Sequence, residues 1–453
     1  MHTSTPTPPA LTFSAEAQHV LDRLEKTSAH LLLTGRAGTG KSTLLQHFRH
    51  TTPKKCVVLA PTGVAAVSVG GQTIHSFFGF RPGVTLESVR ARSSGASSIY
   101  KQLDLVVIDE ISMVRADLLD CIEKFLRLNG RFPGTPFGGI QMVFIGDLYQ
   151  LPPVVPEDEQ DLFETVYASP YFFDAPAYVK ADVQRVELTE VYRQRDPVFV
   201  ELLDALRTGT LNGPQRAYLN RQCVRSPALL DGTPIQLVTT NHMADQINHQ
   251  HLDRLSGPAR TYSGEIRGTF GERQLPTHER LRLRPEARVM LLSNDTAGRW
   301  INGDLGWTQT LPDADKPDRA VVVRLDRGAR VDVLRHKWEV IRFRYNPERD
   351  RIESDVIGAF TQYPLRLAWA VTIHKAQGKT FDQVVVDFGR GTFAPGQAYV
   401  ALSRCTSMAG LVLRRPLAQR HIFTDERINT FMQTSAREAT PVTSARSRVA
   451  PLR

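Results

Sequence analysis

Cysteine is scarce in this chain, and the four that occur, Cys56, Cys121, Cys223 and Cys405, stand far apart with no C-x-x-C pair among them. That spacing argues against a zinc ribbon or a disulfide framework and leaves reduced thiols. Long apolar runs are missing as well: no stretch approaches the roughly 20 residues that span a bilayer. Met1 to Pro9 is a Thr/Pro segment without the basic-then-apolar pattern of a secretory signal. No membrane contact is expected, and the chain is expected to work inside the cell. Acidic residues are outnumbered, 47 Asp and Glu against 56 Lys and Arg, for a net charge of +9. The excess suits a polyanionic partner without identifying one. Part of it lies in 436–453, where Arg437, Arg446, Arg448 and Arg453 face only Glu438. Residues 1–10 and the Ser/Arg/Pro-rich tail 434–453 read as disordered. The chain as a whole has an ordinary globular composition, 41% hydrophobic and 23% charged over 453 residues, with room for about two to four domains.

What is there centres on Gly35-Arg36-Ala37-Gly38-Thr39-Gly40-Lys41-Ser42, a match to G-x-x-x-x-G-K-[ST] between the apolar run Leu31-Leu32-Leu33 and the helical pattern that begins at Thr43. A triphosphate must be wrapped by backbone N–H groups, and glycine lets the backbone come that close. Lys41 would place its ammonium on the β/γ-phosphates and Ser42 its hydroxyl on Mg²⁺, with the following helix turning its positive end to the anion. Ala37, Thr39 and Thr43 complete the expected nucleotide-binding set. Upstream, Ser14 caps an amphipathic helix on which Gln18 either reads the adenine edge or is simply solvated.

Downstream, the strand Cys56–Ala60 runs into Pro61-Thr62-Gly63, and Gly70-Gly71-Gln72-Thr73-Ile74-His75-Ser76-Phe77-Phe78 follows. Hydroxyls beside aromatics suit single-stranded nucleic acid, with Thr62, Thr73 and Ser76 on phosphates, Gly63 and His75 beside them, and Phe77 stacked on a base. The competing reading puts at least one of Phe77 and Phe78 in the core. Residues 81–99 look like a small exposed insertion. The apolar strand Leu105–Ile108 then ends in Asp109-Glu110, where a nucleotide-binding sheet places a Mg²⁺ ligand, Asp109, and a water-activating carboxylate, Glu110. A third apolar strand ends in Gly146-Asp147-Leu148-Tyr149-Gln150-Leu151-Pro152.

The runs GRAGTGKST, APTGVAA, GGQTIHSFF, VIDEISM and GDLYQLPPV, in that order, resemble the successive motifs of the RecD-like and Pif-family DNA helicases, the B branch of helicase superfamily one. The likeness extends over roughly residues 11–430, too many ordered motifs for chance. It implies that Gln150 senses the γ-phosphate. It also makes Arg193, in Leu188-Thr189-Glu190-Val191-Tyr192-Arg193-Gln194, an arginine finger, with Arg195 as the alternative, and Arg404, in Tyr399-Val400-Ala401-Leu402-Ser403-Arg404, a second finger. Leu367 to Thr380 is similar to motif five, which implies DNA contacts for Thr372 and His374 and nucleotide contacts for Gln377 and Gly378. A cation arriving from a second domain meets γ-phosphoryl charge only when the cleft closes, so hydrolysis becomes coupled to motion.

The fold expected is α/β: two RecA-like P-loop NTPase domains with a small all-β barrel inserted in the second. The boundaries expected are 11–190 for the first motor domain, with 81–99 as a wedge-like insertion, 191–293 and 363–433 for the second, and 294–362 for the barrel. Five short β-rich runs in the last segment would remove their exposed edges by closing; the alternative is a hairpin extension of the motor sheet. The alternating Arg280, Arg282, Arg284 and Arg288 either track a phosphate backbone or form a solvated strand face. With no fused nuclease or primase-like segment, the resemblance implies a near-minimal motor that uses ATP and Mg²⁺. It would move 5′ to 3′ on single-stranded DNA and unwind forked or tailed duplexes in repair, recombination or replication, as a cytoplasmic or nucleoid-associated monomer. The rivals are an ATP-gated nucleic-acid clamp that does not step and an NTPase with no DNA partner.

Overall fold

The computed structural model describes residues 13–436 apart from 82, 93–97, 157–158, 231, 271–274, 317, 347 and 349–350. The segments read as a disordered start and most of the basic tail lie outside the described residues, as does part of the 81–99 insertion.

Six strands, β1 (Leu31–Gly35), β2 (Cys56–Ala60), β3 (Gln72–Thr73), β4 (Leu105–Ile108), β5 (Gln141–Ile145) and β6 (Gln184–Leu188), form an all-parallel sheet in the order β3-β2-β4-β5-β1-β6. Their side chains alternate between two cores, as the period of a strand requires. Leu31, Leu33, Val58, Val107 and Val143 pack on helices Ala15–Lys26 and Lys41–Thr51, whereas Leu32, Val57, Val106 and Phe144 pack on helix Ala116–Asn129. The cap foreseen at Ser14 is present, its Oγ accepting from Ala17 N at 3.2 Å.

Fourteen further strands follow: β7 (Ile235–Val238), β8 (Arg260–Ser263), β9 (Glu265–Gly268), β10 (Arg280–Leu283), β11 (Arg288–Leu291), β12 (Leu305–Thr310), β13 (Val321–Leu325), β14 (Arg330–Val333), β15 (His336–Asn346), β16 (Arg351–Gln362), β17 (Leu365–Leu367), β18 (Ala370–Thr372), β19 (Val384–Asp387) and β20 (Leu411–Leu413). A second all-parallel sheet takes the order β18-β7-β19-β20. Among the described residues, every strand between β7 and β18 pairs antiparallel.

The expected barrel is not what those strands build. Among the described residues β12, β13 and β14 join β11 and β17 in an open five-stranded sheet, while β15 and β16 form a long hairpin that pairs with β9 instead. Nor is the hairpin an extension of the motor sheet. The five-stranded sheet covers its apolar face with the β8/β10 ribbon, so that Tyr262, Leu281 and Leu283 share one core with Val289, Val321, Val323 and Val333. Facing sheets thus bury the surface that closure would have buried. On the ribbon Arg280 and Arg282 are exposed and Leu281 and Leu283 buried, a solvated face, whereas Arg288 is buried, donates Nη2 to Asp326 at 2.6 Å and lies over the Trp307 ring.

The last helix, Glu426–Ala436, crosses back to the first core. Ile428 and Met432 are buried there and Phe431 stacks on Phe173 at 4.2 Å between centroids. Residues 426–433, expected in the second motor domain, therefore pack on the core of the first sheet instead, and 434–436 are helical rather than part of a tail.

Candidate nucleotide cleft and nucleic-acid surface

A cleft of about 570 Å³ opens between the two parallel sheets, lined on one side by 37–44, Asp109, Glu110 and Gln150 and on the other by Gly378, Thr380 and Arg404. The loop 35–42 joins β1 to helix Lys41–Thr51, and Gly40 caps that helix at φ 82°, a left-handed conformation that glycine adopts without strain. Gly38, at φ 87°, has a second reason to lack a side chain: a Cβ there would stand 2.5 Å from the Cβ of Arg193. Lys41 folds into the loop, donating from Nζ to Gly35 O at 2.7 Å and Arg36 O at 2.8 Å. Burial lowers its pKa, against which Asp147 pulls upward.

Asp109 and Glu110 leave the end of β4 into the cleft. Burial raises Asp109, and burial together with the neighbouring Asp109 charge pushes Glu110 up to about 7. Glu110 sits at φ 51°, a strained value for a residue with a side chain, and its Oε2 accepts from Gln377 Nε2 at 3.0 Å. Gln377 thus touches the water-activating candidate rather than the cleft wall, while its neighbour Gly378 lines it.

Arg404 is 1% exposed and spends its guanidinium on Val400 O at 2.9 Å, Lys379 O at 3.2 Å and Ser403 Oγ at 2.9 Å. Burial, then the nearby Arg193, pushes it down to about 9. Arg193 also lines the cleft and donates to Ser403 O at 3.3 Å, whereas Arg195 is exposed and outside it. Between them Gln194 donates to Ser403 O at 3.1 Å and Cys405 O at 2.9 Å, tying the segment after β6 to the turn that carries Arg404.

Ala37, Thr39, Ser42 and Thr43 line the cleft as expected. Gln18 does not: its amide is exposed and hydrogen-bonds Asp22 one turn along its own helix, while Phe13, Ser14, Glu16 and Ala17 reach the cleft instead. The 3.6-residue period places position 18 on the solvent side of a helix whose position 17 is buried.

Three residues of the site carried no prediction. Asp147, 1% exposed, accepts from Arg207 Nε at 3.2 Å, Tyr399 OH at 2.9 Å and Gln150 Nε2 at 3.3 Å. Burial pushes Asp147 up, but Arg207 and Lys41 more than offset it and hold the carboxyl below its ordinary value. Tyr399 OH in turn accepts from Ala37 N at 2.9 Å. A signal existed for Asp147, which follows an apolar strand as Asp109 does; for Arg207, on an ordinary amphipathic helix, there was none.

The nucleic-acid candidates divide. Thr62 and Thr73 cap the short helices Gly63–Ser68 and Ile74–Phe78, accepting from Ala65 N and Ser76 N at 3.2 Å each, which leaves each hydroxyl proton free to donate. Ser76 Oγ accepts from Gln72 Nε2 at 2.8 Å, and His75 is half-buried with its pKa lowered by burial. Phe77 is a core residue, 5% exposed and edge-on to Phe78, Tyr100 and Phe343, so the stacking role given to it does not stand. Thr372 is buried and accepts from Lys375 N. His374 stacks at 5.9 Å on Phe393, an aromatic that is 61% exposed.

Residues 12–217 match the family model described as PIF1-like helicase. The chain is 33% identical to the ATP-dependent DNA helicase PIF1 of Emericella nidulans over 459 residues, 88% of this chain and 60% of that protein. It is also 33% identical to the ATP-dependent DNA helicase Pif1 of Bdellovibrio bacteriovorus over 412 residues, 88% of this chain and 87% of that one. The chain therefore spans about three fifths of the fungal relative and most of the bacterial one. The crystal structure of Bacteroides sp. Pif1 in complex with ADP-AlF4 superposes with a TM-score of 0.86 at 33% identity, covering 95% of this chain and 98% of that one.

Proposed function

Because the chain belongs to the PIF1-like helicase family, we propose that it is an ATP-dependent DNA helicase that moves 5′ to 3′ on single-stranded DNA and unwinds forked or tailed duplexes. The observation that carries this reading is the convergence, in one cleft, of Lys41 and Glu110 from the first parallel sheet with Arg404 from the second. Lys41 binds the β/γ-phosphates, Glu110 takes the proton of the attacking water, and Arg193 and Arg404 meet the charge that spreads over the γ-phosphoryl. Gln150 senses the γ-phosphate beside them. Ser42 and Asp109, a hydroxyl and a carboxylate in one cleft, are the hard oxygen donors that suit Mg²⁺ and would hold it against the phosphates.

Thr62, Gly63, Thr73, His75 and Ser76 on one motor unit and Thr372 and His374 on the other contact the strand. In this proposal 11–190 forms the first motor unit. Strands β8, β10, β11, β13, β14 and β17, which share one core, make together with β9, β12, β15 and β16 the insertion 260–367, wider than the sequence indicated. The flanks 191–259 and 368–425 form the second motor unit. No described helix is long and apolar enough to cross a membrane, and the proposed site of action is intracellular DNA, during repair, recombination or replication.

Two measurements test it. ATP hydrolysis is expected to rise manyfold with an oligo(dT) strand, and a duplex with a 5′ overhang is expected to be separated while one with a 3′ overhang is not. Stimulated hydrolysis without strand separation on either substrate identifies a nucleotide-gated clamp instead, and hydrolysis indifferent to DNA removes the nucleic-acid role altogether.

A further inference from the structure

Tyr399 belongs to helix Gln397–Leu402 of the second motor unit, five positions before Arg404, and is 3% exposed. Its ring packs in the second core, where a phenylalanine would do as well. The hydroxyl does something a phenylalanine cannot. It accepts from the phosphate-loop N–H of Ala37 at 2.9 Å and donates to Asp147 Oδ2 at 2.9 Å, so both its partners belong to the first sheet. Asp147 is a junction: the same Oδ2 accepts from the Gln150 amide at 3.3 Å, and Oδ1 accepts from Arg207 Nε at 3.2 Å and Tyr149 N at 3.3 Å. One buried carboxylate therefore touches the residue assigned to sense the γ-phosphate and the helix that leads into the turn carrying an arginine finger.

We propose that Tyr399 is a positioning residue for ATP hydrolysis, its hydroxyl fixing the helix that leads into Arg404 to the phosphate loop and to Asp147 so that Arg404 is aligned with the γ-phosphoryl only while Gln150 is seated. The proposal rests on the reading of the cleft as an ATPase site. The turn that carries Arg404, just past the end of this helix, is held by the Gln194 amide on Ser403 O and Cys405 O, contacts to the backbone that fix its distance but not its rotation. The Tyr399 hydroxyl supplies the second point. Two anchors about one helical turn apart define an orientation, and orientation is what a planar guanidinium needs to meet phosphoryl oxygens.

The experiment uses the full chain with Tyr399→Phe, Asp147→Asn and the two combined. For Tyr399→Phe, kcat for DNA-stimulated hydrolysis is expected to fall about 10- to 100-fold, the size of a lost hydrogen bond to an ionised group, with KM for ATP near the parent's and a single cooperative thermal transition retained. Affinity for ADP with aluminium fluoride is expected to fall by the same factor while affinity for ADP alone holds, a split that a packing defect does not produce. The double variant is expected to lose no more than the worse single one, because both remove the same joint. Parent-like kcat in Tyr399→Phe overturns the proposal, and so does an equal loss of ADP and ADP–aluminium fluoride affinity. A parent protein that fails to hydrolyse ATP overturns the cleft reading itself, a distinguishable result.

Discussion

Gln377 reaches from the second motor unit to the first and donates its side-chain amide to Glu110 Oε2 at 3.0 Å. The bond favours the ionised carboxylate, in opposition to burial and to the Asp109 charge, which together raise Glu110 to about 7. A general base works deprotonated, so kcat/KM for ATP is expected to climb with pH and to inflect near 7. Gln377→Leu removes a contact that lowers the pKa and moves that inflection upward. A profile flat between about pH 5.5 and 8 excludes Glu110 as the group that titrates.

Lys41 and Glu110 separate binding from chemistry. With Lys41→Ala the loop loses its ammonium from the cleft and nucleotide affinity falls, visible in titration with a fluorescent ADP analogue. Glu110→Gln keeps the cleft's shape and is expected to bind nucleotide while hydrolysing it about 10²- to 10⁴-fold more slowly, the usual worth of a general base. Near-parent turnover in Glu110→Gln contradicts its role.

The two arginines that flank Gln194 give opposite expectations. Arg193→Ala is expected to lower kcat by about 10³-fold or more, as loss of an arginine finger does, while the exposed Arg195→Ala stays within about twofold of the parent, as surface changes do. Gly38→Ala acts on the same group, since its Cβ would lie 2.5 Å from that of Arg193. Equal losses from Arg193→Ala and Arg195→Ala would mean that neither is the finger.

These residues were legible because their chemistry is written in consecutive positions. The phosphate loop, the Asp109-Glu110 pair and the finger motifs each fit inside a short window with a strand or helix beside it. Asp147, Arg207 and Tyr399 were not legible, because Tyr399 stands 252 positions from Asp147 and Arg207 stands 60 away. Phe77 went wrong for a local reason: a helix of five residues, Ile74–Phe78, is too short to declare by periodicity which face is buried. The barrel went wrong for a non-local one. Strand composition located the β runs, but pairing partners such as β9 for β16 lie outside the segment that the composition marked.

Arg207 and Asp147 form a buried ion pair, 5% and 0% exposed at their side chains. Removing one partner strands the other charge, so Arg207→Leu is expected to destabilise the protein by about 3–5 kcal/mol. Asp147 is held below its ordinary pKa by Arg207 and Lys41, so its share of stability is present at neutral pH and is lost only as pH falls through the carboxylate range. Chemical denaturation at pH 7 measures the first effect. A loss under about 1 kcal/mol for Arg207→Leu would show that Lys41 alone suffices to hold the Asp147 charge.

The β15/β16 hairpin leans on the surface assigned to DNA. Phe343 N donates to Gln72 Oε1 at 3.1 Å, the Phe343 ring meets Phe77 edge-on at 6.2 Å, and Glu339 to Ile341 face Gly63, Ala66 and Thr73 across a small cavity. Excising 306–357 is no test of the hairpin, because Trp338 is buried in the second motor core and Val321, Val323 and Val331 in that of the insertion. A point change is. Phe343→Ala deletes a ring pair worth about 0.5–1.5 kcal/mol while leaving the strand pairing of β15 in place. If the hairpin covers Thr62, Gly63 and Thr73 and must lift before a strand can enter, Phe343→Ala is expected to bind labelled oligo(dT) about 2- to 10-fold more tightly, by the same energy. Fluorescence anisotropy reads it directly. Weaker binding would mean that Phe343 holds the strand rather than guarding its seat, and the hairpin would then join the nucleic-acid surface instead of covering it.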